Sequence, residues 1–280
     1  MVYNFTLSDE WNSSLLIRYS LDHLKEIDNI YFYSIDNQLK CQHFFEFELS
    51  DLVLKKLCLE IKNNNSIKFS YINESKLTYK LKQWSKENNF KCELIDTWEA
   101  PQLILKDSVK NYLETSSHSQ IRRNYNLYNK NKSKYKFYNS NNNDALNLWS
   151  LVLEIDFNSW KKEEKSDMKS LDREDLQYLP FLLKNRKKSN LVVVCDYNDK
   201  PLAYSLMFKN DDGYWYAVKW GASYEGRKLY TGFFCLFNHL EYLFDLEGML
   251  LLDFWGRRNN TYDKLKNNYV MRSHILISKE

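Results

Sequence analysis

Glycine and proline are scarce in this sequence, which has 6 Gly and 3 Pro among 280 residues. Collagen-like repeats and turn-dominated all-β folds need many more of both, so those classes are excluded. The 5 cysteines are an odd number, and none stands in a Cys-x-x-Cys pair or near a histidine at metal-ligand spacing. We therefore expect reduced thiols and no metal site.

Long apolar runs are missing as well. No stretch of about 18 uncharged apolar residues occurs, which is the length a membrane-spanning helix needs. The first residues show no basic segment followed by an apolar one, as a secretion signal would. We expect a soluble, cytoplasmic protein without a membrane span.

Aromatic residues, by contrast, are abundant: 21 Tyr, 16 Phe and 8 Trp support an ordered core, in one large or two modest domains. The net charge is only +3, but the stretch 106–136 holds 8 Lys or Arg against Asp107 and Glu114. Such a block can meet the phosphates of a nucleic acid or a nucleotide cofactor, or it can be a solvated basic helix.

Strand-like and helix-like segments alternate twice along the chain, which predicts an α/β protein. In the first part we predict strands at 30–35, 43–49, 66–72 and 90–95, an apolar run at 103–105, and helices at 51–62 and 75–87. Ser50 is a plausible N-cap of the helix that begins at Asp51. A mostly polar helical segment at 107–133 then bridges to the second part.

The second part begins with a strand at 134–138, a helix at 144–157, a charged loop at 161–170 and a helix at 174–188. Three strands follow at 191–197, 202–209 and 214–220, joined by short turns rich in Asn and Asp. A helix at 231–246, with apolar residues three and four apart, ends at Gly248. A buried parallel strand at 249–254, a helix at 262–268 and a strand at 274–278 complete the pattern.

Four segments of this second part carry a resemblance to a known family. They are Glu154-x-x-x-x-Ser159-Trp160-Lys161, Asp199 to Tyr204, Tyr224-x-x-x-x-x-Tyr230-Thr231-Gly232, and Leu252 to Gly256 followed by Tyr262-x-Lys264. They are similar, in order, to the landmarks of the FemAB-like and BioF2-like acyltransferases, in which two GNAT-type domains are fused in tandem. The resemblance extends from about Asp107 to the last residue, and before that only size and element order support it.

The resemblance implies an α/β fold of two tandem GNAT-like domains, each a mixed sheet flanked by helices, of which the C-terminal one is complete. The expected domains are 1–105 and 134–280, with a helical bridge at 106–133. It also implies an N-acyltransferase that uses acyl-CoA or an acyl carrier protein as donor substrate, without a permanently bound cofactor. The acceptor would be an amine of a small molecule or peptide that attacks the donor directly. Neither DNA nor a metal is expected to take part.

On the donor side, the backbone N–H groups and dipole at the start of the helix that follows Tyr230 can hold a phosphate. The resemblance and the local charge assign donor binding to Arg227, Lys228, Thr231 and Gly232, with Lys219 nearby. The Gly-rich pyrophosphate loop of ordinary acetyl-CoA enzymes is replaced by the stretch 226–232, which argues against acetyl-CoA itself. Thr231 could also be a simple N-cap.

In the bridge, Arg122 and Arg123 can clamp a phosphate of the donor through paired hydrogen bonds. A solvated bridge helix is the alternative interpretation of the same two residues.

Two carboxylates are candidates for removing the proton of the attacking ammonium. Asp253 ends an apolar strand at the edge of the sheet where α/β folds bind ligands, and Glu154 lies near the end of a helix. Tyr224 could stabilise the oxyanion. Either carboxylate could instead have a structural role.

Trp160, Lys161, Trp220 and Trp255 are candidates for lining a groove for the acyl chain or the acceptor, although lysine stems packed on aromatic rings are also common in structural positions. His239 lies in an apolar helix and is expected to be a core residue, as are the cysteines.

Two other functions stay open. An aminoacyl-tRNA-dependent aminoacyl transferase is one, although the modest net charge and the lack of a long helical hairpin argue against a tRNA partner. The other is a GNAT-like module that has lost catalysis and binds a peptide or nucleotide.

Overall fold

The structure is a computed structural model that describes residues 24–27, 30–35, 38–41, 49–63, 66–74, 76–163, 178–179, 182–211, 213–255 and 260–280. Within these ranges the strands form one mixed sheet of 11 strands, in the order β1-β2-β3-β4-β11-β5-β10-β9-β8-β7-β6. The strands are β1 Leu24–Ile27, β2 Ile30–Ile35, β3 Gln38–Cys41, β4 Ser66–Asn73, β5 Phe90–Leu105, β6 Lys136–Asn139, β7 Ser189–Cys195, β8 Pro201–Lys209, β9 Trp215–Ala222, β10 Leu250–Asp253 and β11 Asn268–Lys279.

Nine helices have described bounds. They are α1 Asp51–Lys62, α2 Lys76–Glu87, α3 Val109–Thr115, α4 Ser119–Asn131, α5 Ala145–Phe157, α6 Trp160–Glu163, α7 Tyr224–Lys228, α8 Thr231–Glu247 and α9 Asn260–Leu265. A 3-10 turn at Lys132–Lys134 follows α4. Among the described residues, no helix combines the length and the apolar character that a membrane span requires.

The two faces of the second part of the sheet are covered by different helices. Leu191, Val193 and Cys195 of β7 pack in one core cluster with α5, whereas Val192 and Val194 contact Cys235 of α8 on the other side. This alternation follows from the pleat of a strand, which points successive side chains to opposite faces. We call these surfaces the α5 face and the α8 face. Helices α3 and α4 share a cluster with α8.

Strand β11 joins the two parts of the chain. It pairs with β5 over its whole length, from Asn268↔Gln102 to Lys279↔Phe90, and with β4 on its other side. Ile275 and Ile277 of β11 belong to the core cluster that also holds the buried residues of α1 and α2. A strand from the predicted second domain thus lies between two strands of the predicted first one, and the division at 105 and 134 stays a prediction.

Most predicted elements are found near their expected positions. Helix α1 has the predicted bounds, and the Ser50 hydroxyl accepts a hydrogen bond from the Val53 amide at 3.2 Å. Gly248 ends α8 with a φ of 70°, a left-handed conformation that glycine adopts at little cost. The meander of β7, β8 and β9 is confirmed.

Other elements differ from the prediction. The bridge is two helices, because the chain leaves helical geometry at Ser116 after α3, and Ser108 caps that first helix. Strand β5 continues unbroken from Phe90 to Leu105, because β11 and β10 supply hydrogen-bond partners along it. Helix α9 ends at Leu265, and the Asn267 side chain bonds to both the N–H and the carbonyl of Ile104 at 2.8 and 2.7 Å.

Some predicted elements fall on undescribed residues. The strand at 43–49 lies outside the described residues except for Leu49, which is buried but not in a strand. Most of the charged loop at 161–170 also lies outside them, and its first residues form α6. Of the helix predicted at 174–188, residues 178–179 and 182–184 are helical, and β7 begins at Ser189.

Candidate functional site

A cleft opens in the middle of the sheet where β10 ends. Strands β9 and β10 are parallel and pair only at Leu252↔Trp215 and Asp253↔Tyr216, whereas β9 continues to Ala222. On the other side of β10, β5 also extends past Asp253, which lies opposite Gln102. Beyond Asp253 no strand of the described residues lies between β9 and β5. We call this opening the cleft.

A β-bulge shapes the wall of the cleft. The register with β8 passes from Lys219↔Leu206 to Ala217↔Met207, so Val218 is the extra residue of β9. A bulge bends its strand and increases the local twist, and bulges occur often beside active sites.

Four aromatic rings line the cleft towards α8 and α9. Trp220 lies 6.1 Å from Phe233 and 6.0 Å from Tyr262, measured between ring centroids, and Tyr262 stacks on Phe254 at 4.6 Å. The Trp220 indole donates to the Gly232 carbonyl at 3.0 Å, and a Cβ on Gly232 would be 3.3 Å from this ring. The wall is thus a packed apolar surface, fixed at the first turn of α8.

The start of α8 is built together with α7. The Thr231 hydroxyl is buried and donates to the Gly226 carbonyl at 3.1 Å, while a Cβ on Gly226 would be only 2.2 Å from the Leu202 carbonyl oxygen. No side chain caps α8, whose first helical residue follows Tyr230 with a left-handed φ of 60°. Thr231 and Gly232 therefore help build the helix start through packing.

The predicted cations of the donor side lie around this helix start. Arg227 and Lys228 are exposed in the last turn of α7. The Arg123 guanidinium is exposed and lies 5.9 Å from the centre of the Tyr230 ring. Arg122 instead donates to the Ser116 carbonyl in the α3–α4 connection. The fold thus brings Arg123 to the beginning of α8, whereas the described bond of Arg122 lies within the α3–α4 connection.

Asp253 is fully buried in a dense set of hydrogen bonds. The Arg272 guanidinium donates to both of its oxygens, at 3.0 and 2.7 Å, and the Trp255 amide and the Gln102 side chain donate at 2.8 and 2.9 Å. Arg272 also donates to Asn73 at 3.0 Å. These contacts connect the end of β10 to β11 and β5. We call the end of β10 the floor of the cleft, and Asp253 is suited to hold it in position. The predicted role of Asp253 as a base stays a prediction.

A second buried ion pair lies under β9 on the α5 face. The Lys161 ammonium bonds to Asp156 at 2.8 Å, to the Tyr204 hydroxyl at 2.9 Å and to the Trp220 carbonyl at 3.3 Å. A Cβ on Gly221 would lie 2.7 Å from Tyr204 and 3.0 Å from both charged groups, so glycine is needed there. Lys161 therefore fixes β9, which is the wall of the cleft, from the α5 face.

The other predicted residues lie apart from Asp253. Glu154 is exposed on the last turns of α5, and the Tyr224 amide donates to the Asn158 carbonyl at 2.9 Å, which places both near the α5–α7 contact. Trp160 is 39% exposed on α6. The three predicted catalytic residues are thus not brought into one constellation, and their roles stay predictions.

Two further predicted residues lie on the α5 face. The Lys219 ammonium lies 5.9 Å from the Tyr178 ring centre, and Trp255 packs against Tyr216 at 6.2 Å. Trp255 has a φ of 59°, an unusual conformation for a residue other than glycine.

His239 is a buried core residue with a specific partner. Its Nδ1 atom lies 3.0 Å from the Ser205 hydroxyl, and burial lowers the pKa of His239 to about 3, so the imidazole is neutral at pH 7. Burial also raises the pKa of Cys195 to about 12 and that of Cys235 well above its ordinary value. These side chains fill the core and carry no charge.

Several residues of the site were missed in the sequence, namely Arg272, Gln102, Asp156 and Tyr204. Asp156 and Arg272 offered one signal in the sequence, a charge inside an apolar helix and an apolar strand, whereas Gln102 and Tyr204 offered none. Their partners are up to 199 positions away, as for Arg272 and Asn73, so only the sheet order reveals the pairing.

The cleft between splayed parallel strands, within a mixed sheet flanked by helices, is the architecture of a GNAT-like fold. Solved structures with this fold that resemble the chain include FemX, with a TM-score of 0.63 and 11% identity over 99% of this chain and 92% of that one. A C-terminal domain of a putative lysylphosphatidylglycerol synthetase from Agrobacterium fabrum has a TM-score of 0.60 and 8% identity, over 97% and 91%.

A conserved protein of unknown function from Bacteroides thetaiotaomicron is also similar, with a TM-score of 0.65 and 13% identity over 99% of this chain and 92% of that one. Identities this low concern the fold alone. No protein-family model matches the sequence, and no curated protein matches it either.

Proposed function

We propose that this chain is an N-acyltransferase that transfers an acyl group from an acyl-CoA or an acyl carrier protein to an amine. In this proposal two GNAT-like units, 1–105 and 134–280, are joined by the bridge and share the continuous sheet. The observation that carries the proposal is the cleft, where β9 and β10 separate beside the start of α8. A donor that lies in the cleft can place its carbonyl against the backbone of β9 while its phosphates reach the helix start.

The proposed reaction is direct attack. The amine nitrogen forms a bond to the thioester carbonyl carbon, the tetrahedral oxyanion is stabilised by backbone N–H groups of β9 beyond the bulge, and the C–S bond then breaks. The thiolate leaves as a thiol after it gains a proton, and the amine loses one to water. Positioning by the rigid cleft supplies much of the rate gain. Asp253 contributes by holding the end of β10 through Arg272.

Donor binding is proposed for the cations around the start of α8. Arg123 stands beside Tyr230, and Arg227 and Lys228 are exposed in the preceding turn. Because all three side chains reach solvent, they can meet a phosphate group without the cost of burying a charge. Lys219, Trp160 and Trp220 are proposed to contact the substrates.

Thermal shift against acyl-CoA esters of rising chain length, and against an acylated carrier protein, tests the proposal. A donor that binds only the folded chain raises its melting temperature. We expect Arg123→Ala and Lys228→Ala to reduce this rise, and Lys56→Ala, which removes an exposed lysine of α1, to leave it unchanged. If neither donor class raises the melting temperature of the unaltered protein, the proposed donors are wrong.

Aminoacyl transfer is the second candidate, because the similar structures include FemX and a putative lysylphosphatidylglycerol synthetase domain. In that case the donor is an aminoacyl ester of tRNA. A gel shift with aminoacylated tRNA that weakens steeply with salt favours this candidate over an acyl thioester. If the protein binds neither donor but does bind a peptide, it is instead the GNAT-like binding module without catalysis that the sequence left open.

A further inference from the structure

A cavity lies at the end of β9 that is farther from the cleft. It has a volume of about 470 Å³, and its walls come from the turn after β6, the turn before β7, the start of β9 and the last turn of α8. Trp215 is the first residue of β9, so roughly 23 Å of strand separate it from Ala222 at the cleft. We call this space the α8-end cavity. Its lining residues are Asn141, Arg186, Lys187, Trp215, Leu246 and Glu247.

Two cations of this cavity stand on a tight turn whose backbone is hydrogen-bonded. The Lys188 amide donates to the Asn185 carbonyl at 2.8 Å, which makes Arg186 and Lys187 the two central residues of the turn. The turn is joined to the end of β8, because the Lys209 amide donates to the Lys188 carbonyl at 2.8 Å. The sheet therefore sets the position of both cations.

The charges of these two cations are not balanced by any carboxylate of the described residues. Arg186 and Lys187 are exposed, and within the described ranges their side chains form no hydrogen bond or ion pair. Glu247 lines the cavity, but its carboxylate is bonded to the Lys209 ammonium at 2.5 Å. The C-terminal end of α8 offsets only about half an elementary charge. The cavity therefore has a clear excess of positive charge.

The rest of the cavity combines apolar surface with a rigid rim. Leu246 is 55% exposed, and Trp215 is the aromatic residue of the wall. The Lys209 ammonium lies 5.8 Å from the centre of the Trp215 ring, so positive charge is also held beside this wall. On the rim, the Asn141 side chain donates to the Tyr242 hydroxyl at 2.7 Å, which joins the turn after β6 to α8. The cavity thus offers cations next to an apolar surface.

We propose that the α8-end cavity binds a small organic phosphate monoester. Such a group carries a charge of about −1.5 to −2 at pH 7, which matches the two unbalanced cations. The Arg186 guanidinium can bond to two phosphate oxygens, while Lys187 acts as a point charge. The organic part packs against Trp215 and Leu246, and the volume lies in the range of about 300–1,000 Å³ that small-molecule sites occupy. This site lies outside the cleft and does not depend on acyl transfer.

Titration with phenyl phosphate tests this site without any acyl donor. The full chain, labelled with 15N at its indoles, is titrated at constant ionic strength with phenyl phosphate, with phenol and with inorganic phosphate. The indole resonance of Trp215 is assigned from its loss in Trp215→Phe, and that of Trp220 in the same way. We expect a saturable shift of the Trp215 resonance with phenyl phosphate, and binding weaker by about 5-fold or more with either control. The Trp220 resonance should not follow the same binding curve.

Variants of exposed residues then assign the contacts. Arg186→Ala and Lys187→Ala should each weaken phenyl phosphate binding by about 3- to 10-fold, because each removes a charged partner of the phosphate. Lys184→Ala removes an exposed lysine of the same segment that does not line the cavity, and it should have no effect. Glu247→Gln removes a negative charge from the lining and leaves Lys209 unbalanced, so it should tighten binding by about 2- to 5-fold.

The sign of the Glu247→Gln effect distinguishes an anion site from a cation site. Tighter binding supports the phosphate site, and weaker binding overturns it. The site is also wrong if phenol binds as tightly as phenyl phosphate, or if Arg186→Ala combined with Lys187→Ala leaves the affinity unchanged. Equal affinities for inorganic and phenyl phosphate overturn the organic ligand. If only the Trp220 resonance shifts, the phosphate binds in the cleft, and this inference fails while the proposed function does not.

Discussion

At the scale of single residues, the pair formed by Asp253 and Arg272 has the clearest energetic consequence. Both side chains are almost fully buried, with 0% and 1% of the side-chain surface exposed. Removing one partner of such a pair leaves an uncompensated charge, which costs about 3–5 kcal/mol, whereas replacing both by apolar residues costs far less. Each charge therefore depends on the other, and a single substitution lowers the free energy of unfolding by more than the intact pair contributes to it.

The first prediction follows from that dependence. Arg272→Met should lower the free energy of unfolding by about 3–5 kcal/mol, and Asp253→Leu combined with Arg272→Met should recover most of this loss. Urea unfolding of the three proteins measures both values. A double variant less stable than Arg272→Met alone would contradict the prediction.

Asp253→Asn gives a separate catalytic check. If Asp253 only positions the floor of the cleft, the pH dependence of kcat keeps its shape in this variant, whereas the loss of a base removes the acidic limb of that dependence.

His239 gives a second residue-scale prediction. Its pKa is about 3 in the folded protein and 6.5 by its ordinary value, so below pH 6.5 the unfolded chain binds a proton that the folded chain excludes. The stability present above pH 6.5 should therefore fall by on the order of 1 kcal/mol per pH unit towards pH 3. His239→Gln, which retains a partner for Ser205, should lack this component. Urea unfolding at pH 7.5 and 5.0 compares the two proteins, and parallel losses would refute the assignment.

At the scale of elements, the corner between α7 and α8 requires glycine at position 226, because no space remains there for a Cβ. A Cβ on Gly226 would lie 2.2 Å from the Leu202 carbonyl oxygen and 2.7 Å from the Thr231 hydroxyl, so the backbone itself must move. The Thr231 bond to Gly226 joins the two helices at that point.

The third prediction is that Gly226→Ala destabilises the chain more than Gly248→Ala does. Gly248 has a φ of 70°, but a Cβ added there would have open space around it, so its substitution costs only the left-handed strain of about 1–2 kcal/mol. Thermal unfolding ranks the two variants, and a larger loss for Gly248→Ala would show that the corner can adapt. Gly226→Ala should also weaken the proposed donor binding, because the start of α8 shifts.

Elements with local signals were predictable from the sequence, and those that depend on distant partners were not. Ser50 and Asp144 mark the starts of α1 and α5 because capping acts within three residues. Helix α7 has 5 residues, which is too short for its apolar residues to show a helical period in the sequence. The full extent of β5 and β11 was hidden because polar residues such as Glu93 and Glu99 interrupt the apolar pattern, and only the mutual pairing of the two strands fixes their length.

The same limit applied to the candidate site. The position of Asp253 at the end of an apolar strand and the cations near Tyr230 were visible locally. The pairing of Arg272 with Asp253 and Asn73 was not, because the sequence does not show that β11 lies between β4 and β5.

At the scale of the whole molecule, β11 should make the two parts of the chain unfold together. Its Ile275 and Ile277 complete the cluster with α1 and α2, while its Arg272 reaches the floor of the cleft. Shared strands transmit a loss of stability from one part to the other.

The fourth prediction tests that coupling. Ile277→Ala should cost about 2–5 kcal/mol and speed amide hydrogen exchange in β2–β4 and in β7–β9 alike. Leu59→Ala, at a leucine that is 61% exposed on α1, should change neither. Exchange measured by mass spectrometry resolves the two regions. Faster exchange confined to β2–β4 would indicate domains that open independently, with boundaries near 105 and 134.

The place of β11 also has a consequence for the order in which the protein is made. Strands β4 and β5 emerge from the ribosome long before the residues that will separate them, and until then each has an unpaired edge of the kind that attracts other chains. The early part of the chain cannot complete its sheet until β11 has been made. Chaperone supply during translation should therefore affect the yield of this protein more than that of one whose first domain closes on itself.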